Sequence, residues 1–429
     1  MASQVISPTQ VNRSTVRSNL KALSFICVKM STFSHEPAFE AACQSGRIPG
    51  AVLVATDATG KFKYAKAFGK TAHGETLSID SVFWIASCTK LMVSVAALQQ
   101  VERGHIGLDE DIEKVLPEVT ALQVLTGFDD EEKPVYEERQ GTITLRHLLT
   151  HTTGLSIPIF TPELQQLQKF KGPPATPPKT IEAEFSEPLL FQPGKGWNYG
   201  TGYDWAGKMV ERFSGLTLEE YMRANVWGPL NMRHMSFSPD SSPEMKERKI
   251  NMSLKDESGK LVPTTEGYIY LYEDRDDAYG GFAGWGSAES FLQLLQTLCA
   301  NDGRVLSKEL VDEMFRPQLG PETKEGLNHL LKNVDLLRRV YANSFDMDHQ
   351  VMDHGLGGEI GTRDEVGRRK AGTMSWGGLP NLIWWIDREA GLCGALFTNV
   401  VPLGDAEVSK LEGLFEKAVY EQYEEFKKQ

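Results

Sequence analysis

The tetrapeptide Ser87-Cys88-Thr89-Lys90 sets a hydroxyl and an amine three residues apart at the mouth of an apolar run, Leu91-Met92-Val93-Ser94-Val95-Ala96-Ala97-Leu98. On a helix, positions i and i+3 share a face, so the lysine amine reaches the serine hydroxyl. A lysine partly desolvated among polar groups gives up its proton more readily and can take the one on the serine. A serine at a helix start also places backbone N–H groups where an oxyanion forms during acyl transfer. The pair is a candidate activated nucleophile. Spacing alone is weak support, because Ser18-Asn19-Leu20-Lys21 repeats it in a polar N-terminal segment.

Other stretches carry chemistry-bearing types. His147 and His151 stand four apart, a spacing that suits a metal on one helix face. No third ligand lies near, so hydrogen bonding is their expected role, and neither a metal nor a cofactor is expected. Tyr199 lies among glycines in Trp197-Asn198-Tyr199-Gly200-Thr201-Gly202-Tyr203, just before a helix expected from about Asp204. The loop Ala278-Tyr279-Gly280-Gly281-Phe282-Ala283-Gly284-Trp285-Gly286-Ser287 matches neither G-x-G-x-x-G nor the P-loop pattern, so close backbone packing near a pocket is expected instead of a phosphate cradle. Cys88 points to another helix face than Ser87 and reads as core.

The elements that must position these residues follow from local signals. Residues 50–56 and 62–68 read as two strands joined by Asp57-Ala58-Thr59-Gly60, and 381–387 with 392–399 as a second hairpin. The Ser87 helix stops at Arg103-Gly104, and Thr144 is an N-cap for a short helix over 145–149. Residues 172–180, rich in proline, form a loop, and 240–278 read as polar and irregular. A terminal helix over Ala406–Phe426 carries the stripe Val408, Leu411, Leu414, Phe415 and Val419. The economical fold is α/β of the α+β kind. One antiparallel sheet is built from both ends of the chain and flanked by terminal helices (about 34–105 and 280–429). A mainly helical region (about 106–279) is inserted, and Ser87 sits in the cleft between them.

At 429 residues and a formal net charge of −13, the chain has no basic stripe for nucleic acid or an anionic membrane. Five cysteines, scattered along the sequence with no C-x-x-C, fit a reducing, cytoplasmic setting. Residues 1–33, serine-rich and without acid, read as a disordered extension, with a transit peptide or a true start at Met30 as alternatives.

Taken in order, Ser87-Cys88-Thr89-Lys90, His151-Thr152-Thr153-Gly154-Leu155, Tyr199-Gly200-Thr201 and Trp376-Gly377-Gly378 resemble the serine β-lactamase-like superfamily, on its class C, esterase and transesterase side. The match spans roughly 35–425. Segments such as Leu125-Thr126-Gly127-Phe128 and Asp204-Trp205-Ala206-Gly207 resemble its fungal polyketide acyltransferases. The resemblance implies a β-lactamase/transpeptidase-like fold, with Ser87 as acylated nucleophile, Lys90 as its base and Tyr199 as second proton-transfer group. It implies an oxyanion hole from the backbone N–H groups of Ser87 and Leu379, the latter on an edge strand. Trp376, Gly377, Gly378, Tyr203 and Trp285 are the candidate substrate contacts. Thr201 replaces the asparagine of Tyr-x-Asn, and Trp376-Gly377-Gly378 replaces Lys-Thr-Gly; both argue against β-lactam hydrolysis. Tyr341-Ala342-Asn343 matches Tyr-x-Asn literally but stands at the wrong place in the motif order.

The activity implied is transfer of a short acyl group from a thioester, carried by an acyl carrier protein or otherwise, to a hydroxyl of a small polyketide-like alcohol. A carboxylesterase using water is the alternative. A silent scaffold is disfavoured by the intact Ser87, Lys90 and Tyr199.

Overall fold

A computed structural model describes residues 33–174, 176–264, 275–334, 338 and 347–429. Ser18 and Lys21, Cys27 and the Tyr341-Ala342-Asn343 segment lie outside these residues.

Among the described residues, seven strands form the main sheet: β1 (Gly50–Asp57), β2 (Lys63–Gly69), β3 (Met352–His354), β4 (Glu359–Gly361), β5 (Met374–Gly378), β6 (Leu382–Asp387) and β7 (Leu392–Phe397). Their order is β3-β4-β5-β6-β7-β1-β2, every pair antiparallel. The N-terminal hairpin thus completes a sheet that the C-terminal strands begin, with Val54 opposite Ala395. The Asp57 carboxylate closes the first hairpin by accepting from the backbone N–H of Lys61 and Phe62.

β1 is buried along its whole length because both faces of the sheet are covered. Ala51, Leu53 and Ala55 meet the apolar side of α1 (Glu36–Gln44) and of the terminal helix Ala406–Phe426, through Phe39, Leu411 and Phe415. Val52 and Val54 face the larger core, which includes α2 (Thr89–Glu102) and the helix Ala288–Ala300. Alternation along a strand sends neighbouring side chains to opposite faces, so an unbroken apolar run is what a doubly covered strand needs. On the terminal helix, Leu414 departs from the expected stripe. It is 41% exposed, at the margin of the face that Leu411 and Phe415 bury. That helix is also pinned by charge: Arg369, fully buried, donates to Glu412 and Glu416 and to the Ser375 hydroxyl on β5.

The stretch expected to be irregular holds regular pieces. Ser242 caps the helix Pro243–Arg248 with proline in its first turn, and Ser253–Lys255 pairs with Leu261–Pro263 and, in parallel, with Val400–Val401. These pieces are too short for polarity patterns to reveal. Thr144 caps the helix Leu145–Thr150 as expected, accepting from His147 N.

The turn between β5 and β6 carries the other consequential detail. Asn381 holds a left-handed backbone (φ 60°) and is buried. Its side chain donates to the carbonyls of Val400 and Pro402 and accepts from the N–H groups of Gly404 and Asp405, at 2.8–2.9 Å. Asn381→Ala strands these backbone groups and adds strain at positive φ, so we expect a loss of about 3 kcal/mol in urea unfolding; an unchanged midpoint would contradict this role for the turn.

Candidate active site

Ser87 lies in a 3₁₀ turn, Ala86–Cys88, that runs directly into α2. Ala86 takes φ 44°, a strained value for a residue with a Cβ, so the turn is held by its surroundings. The restraint is visible: Thr89 Oγ1 donates to Ala86 O at 2.6 Å and accepts from Gly284 N at 3.0 Å, while Ile85 N donates to Gly284 O. A Cβ on Gly284 would stand 2.5 Å from Thr89 Oγ1. The glycine-rich loop therefore packs backbone against the turn that carries Ser87, as its composition implied. Cys88 is core, fully buried.

Lys90, in the first turn of α2 and 3% exposed, has its Nζ 3.2 Å from Ser87 Oγ and 2.6 Å from Gly281 O. The ammonium also stands 4.6 Å from the ring centre of Tyr199 and 5.7 Å from that of Tyr203, within cation–π range of both faces. Tyr199 OH lies 2.6 Å from Ser87 Oγ. One hydroxyl is thus held between a phenol and an amine, the geometry that shuttles a proton away from an attacking oxygen.

Tyr199 arrives by close approach of backbones. A Cβ on Gly200 would lie 2.1 Å from Leu155 O, and one on Gly202 2.4 Å from Leu148 O, so the first glycine lets the tyrosine loop lie on the His151–Leu155 turn and the second lets it lie on the helix Leu145–Thr150 before that turn. His151, left-handed at the end of its helix, grips the loop twice: its carbonyl accepts from Asn198 N and its Nδ1 from Gly200 N at 3.3 Å. Hydrogen bonding is the role the structure gives this histidine. Among the described residues no group of three or more His, Cys, Asp or Glu is placed to hold a metal ion.

Trp376 covers the other side. Its ring stands 5.7 Å from Tyr199, 6.1 Å from His151 and 5.7 Å from His354. β5 is an inner strand by order, not the edge strand expected. Its ladder to β4 ends at Ser375, however, leaving 376–378 paired only with β6. Gly378 abuts the Ser87 turn, where an added Cβ would stand 2.5 Å from Ile85 O. Leu379 follows in the turn after β5. Tyr203, 1% exposed, donates its hydroxyl to Leu149 O at 2.7 Å and so backs Lys90 from behind. Trp285 packs with Trp84, Ala86 and Leu379 in a separate cluster, apart from the Tyr199–Trp376 rings.

Sequence reasoning missed two residues here. His354, on β3, is fully buried beside His151, their rings 5.5 Å apart and perpendicular. Asp204, in the first turn of the helix Gly202–Ser214, accepts from Gly281 N at 2.8 Å. His354 belongs to no motif; Asp204 opens a segment that carries the family resemblance, but an acid in a first helical turn reads as a dipole partner. Burial holds both imidazoles neutral: His151 stays well below its ordinary range, and His354 is pushed down to about 4.

A family model described as beta-lactamase matches residues 34–416. The chain belongs to that family. It is 35% identical to a monacolin J acid methylbutanoyltransferase of Aspergillus terreus, over 91% of this chain and 96% of the relative. It is also 35% identical to a lovastatin esterase of Penicillium rubens, over 91% and 99%. The solved structure of a simvastatin synthase mutant from Aspergillus terreus superposes with a TM-score of 0.83 at 38% identity, covering 91% of this chain and 95% of that one. This member thus keeps the family sheet while its tyrosine motif ends in Thr201 and its third motif in Trp376-Gly377-Gly378.

The His354 shift predicts a pH effect of definite sign. An unfolded imidazole binds a proton near pH 6.5, the folded one only near 4. Between these values the unfolded state holds more protons, and folding weakens as pH falls. His354→Asn keeps an N–H for the Gly355 carbonyl that Nδ1 meets at 2.6 Å but removes the titration. The stability advantage of wild type over this variant should shrink by about 1 kcal/mol per pH unit from pH 6.5 toward 4 in urea melts. A difference independent of pH would contradict a neutral His354.

Proposed function

We propose that this protein is a serine acyltransferase that moves a short acyl group from a thioester to a hydroxyl of a small polyketide-like acceptor. The observation that carries this reading is Ser87 Oγ lying 2.6 Å from the Tyr199 phenol and 3.2 Å from the Lys90 amine. The methylbutanoyltransferase relative supports the transferase class and an alcohol acceptor. An acyl carrier protein is the proposed donor's bearer, and residues 34–429 (sheet from 34–105 and 280–429, insert 106–279) the catalytic module. No helix among the described residues is long and apolar enough to cross a membrane. A cytoplasmic setting is part of this reading, in keeping with the free thiols Cys43, Cys88, Cys299 and Cys393.

The chemistry runs in two halves. Ser87 Oγ attacks the thioester carbonyl, its proton passing to the Lys90–Tyr199 pair; the C–S bond breaks and the thiolate takes a proton as it leaves. The N–H groups of Ser87 and Leu379 hold the transient oxyanion, a contribution of about 10²–10³ in rate per donor. The acceptor hydroxyl then attacks the acyl-serine, giving its proton to the same pair, and the new ester departs. Trp376, Gly377 and Gly378 wall the acyl and acceptor space and Tyr203 backs Lys90, while Trp285, expected as a substrate contact, packs instead with Trp84, Ala86 and Leu379.

A specific observation keeps hydrolysis as a second reading: the lovastatin esterase is as similar as the transferase. Acceptor choice turns on water exclusion, and Trp376 and Tyr199 are both nearly fully buried. Incubation with a butanoyl thioester and rising concentrations of a polyketide alcohol should give ester in proportion to acceptor, at the expense of free acid. Free acid alone at every concentration would select the esterase. Tyr199→Phe should slow acylation by about 10²–10⁴-fold with the fold retained; an unchanged rate would remove Tyr199 from the proton path.

A further inference from the structure

Asp204 is 2% exposed, and among the described residues no cation is bonded to its carboxyl. A carboxyl buried this deeply is costly unless its charge is used. Its Oδ1 accepts from Gly281 N at 2.8 Å, and the carbonyl of the same residue accepts from Lys90 Nζ at 2.6 Å. The two fit closely: a Cβ on Gly281 would stand 2.5 Å from Asp204 Oδ2, and one on Gly280 2.8 Å from Tyr203 O. The glycine pair therefore lets the loop settle onto the first turn of the Gly202–Ser214 helix. Tyr199 and Asp204, five residues apart, thus both bear on Lys90, the phenol ring directly at 4.6 Å and the carboxyl through Gly281.

We infer that Asp204 is a positioning residue for acyl transfer: from beneath Gly281 it fixes the carbonyl that holds the Lys90 amine against Ser87, and it supplies the buried negative charge that balances Lys90 when it carries the serine's proton. This rests on the reading of Ser87 as nucleophile and Lys90 as its base. The proton moves from Ser87 Oγ to Lys90 Nζ and onward to the leaving thiolate; Asp204 exchanges none. The charged and titratable groups acting on the carboxyl are Lys90 from α2, Glu184 from the short helix Ile181–Phe185, and Tyr279 from the glycine-rich loop. Burial raises the carboxyl to about 7, against the pull of Lys90 and of the Gly281 N–H, so its charge near neutrality depends on those two partners. Glu184 is occupied elsewhere, accepting from Tyr279 OH at 2.7 Å and pairing with Arg275.

The test measures the acylation burst with p-nitrophenyl butanoate across pH 5–9 for wild type, Asp204→Asn and Ser87→Ala. Asparagine keeps the shape and an oxygen for Gly281 N–H but removes the charge. The expected result is a burst rate lowered about tenfold or more at the plateau, with its acid limb moved to lower pH, since the carboxyl that burial raises to about 7 is no longer there to titrate. An unmoved limb and plateau, whatever happens to the melting temperature, would overturn the inference. Should the asparagine variant fail to fold, Gly281→Ala tests the strap itself: acylation at least tenfold slower supports it, and a wild-type rate overturns it. A burst surviving in Ser87→Ala would instead remove the nucleophile assignment, an outcome separate from either result at Asp204.

Discussion

A primary amine nearly sealed from water has to be satisfied by the protein, and the packing around Lys90 shows what that demands. A backbone carbonyl at 2.6 Å, a serine hydroxyl at 3.2 Å and two aromatic faces surround the Nζ. Each comes from a different part of the chain. Gly281 can present its carbonyl only because glycines let the loop descend onto Asp204, and Tyr199 can reach only because Gly200 and Gly202 let its loop lie on Leu155 and on Leu148 of the helix before it. A desolvated amine without these partners would cost several kcal/mol.

The same requirement explains the supporting framework. The strand Phe83–Trp84, just before the Ser87 turn, pairs with Trp285–Gly286, at the end of the glycine-rich loop, so the two segments that meet at Lys90 and Thr89 are fixed in register by a short sheet. β5 ends against Ile85, and Asn381 locks the turn beyond it to 400–405. Arg369 ties β5 to the terminal helix through Ser375, Glu412 and Glu416. The site is thus assembled from tips of elements whose bodies are buried on both sides, which is how short loops hold chemistry in place.

Much of this was legible in residues, and the gaps have physical causes. Both hairpins, the glycine stop after α2 and the Thr144 cap were readable because each depends on neighbours within a few positions. The backing role of the glycine-rich loop was readable from the missing phosphate pattern. Asp204 and His354 were not, since their meaning lies in partners far along the chain: Gly281 for the one, His151 and Trp376 for the other. Strand order escaped for the same reason. β5 read as an edge because its motif resembles one, yet β4 covers it as far as Ser375, a pairing local periodicity does not encode.

In the proposed reaction Ser87, and not the adjacent Cys88 thiol, receives the acyl group. Cys88 is fully buried and burial pushes its thiol well up, out of the reactive range. Peptide mapping by tandem mass spectrometry, after brief exposure of the wild-type protein to a butanoyl thioester and acid quench, reads the site directly. A butanoyl mass added on Ser87 alone is the predicted result; the added mass on Cys88, or on another residue with Ser87 unmodified, would contradict it.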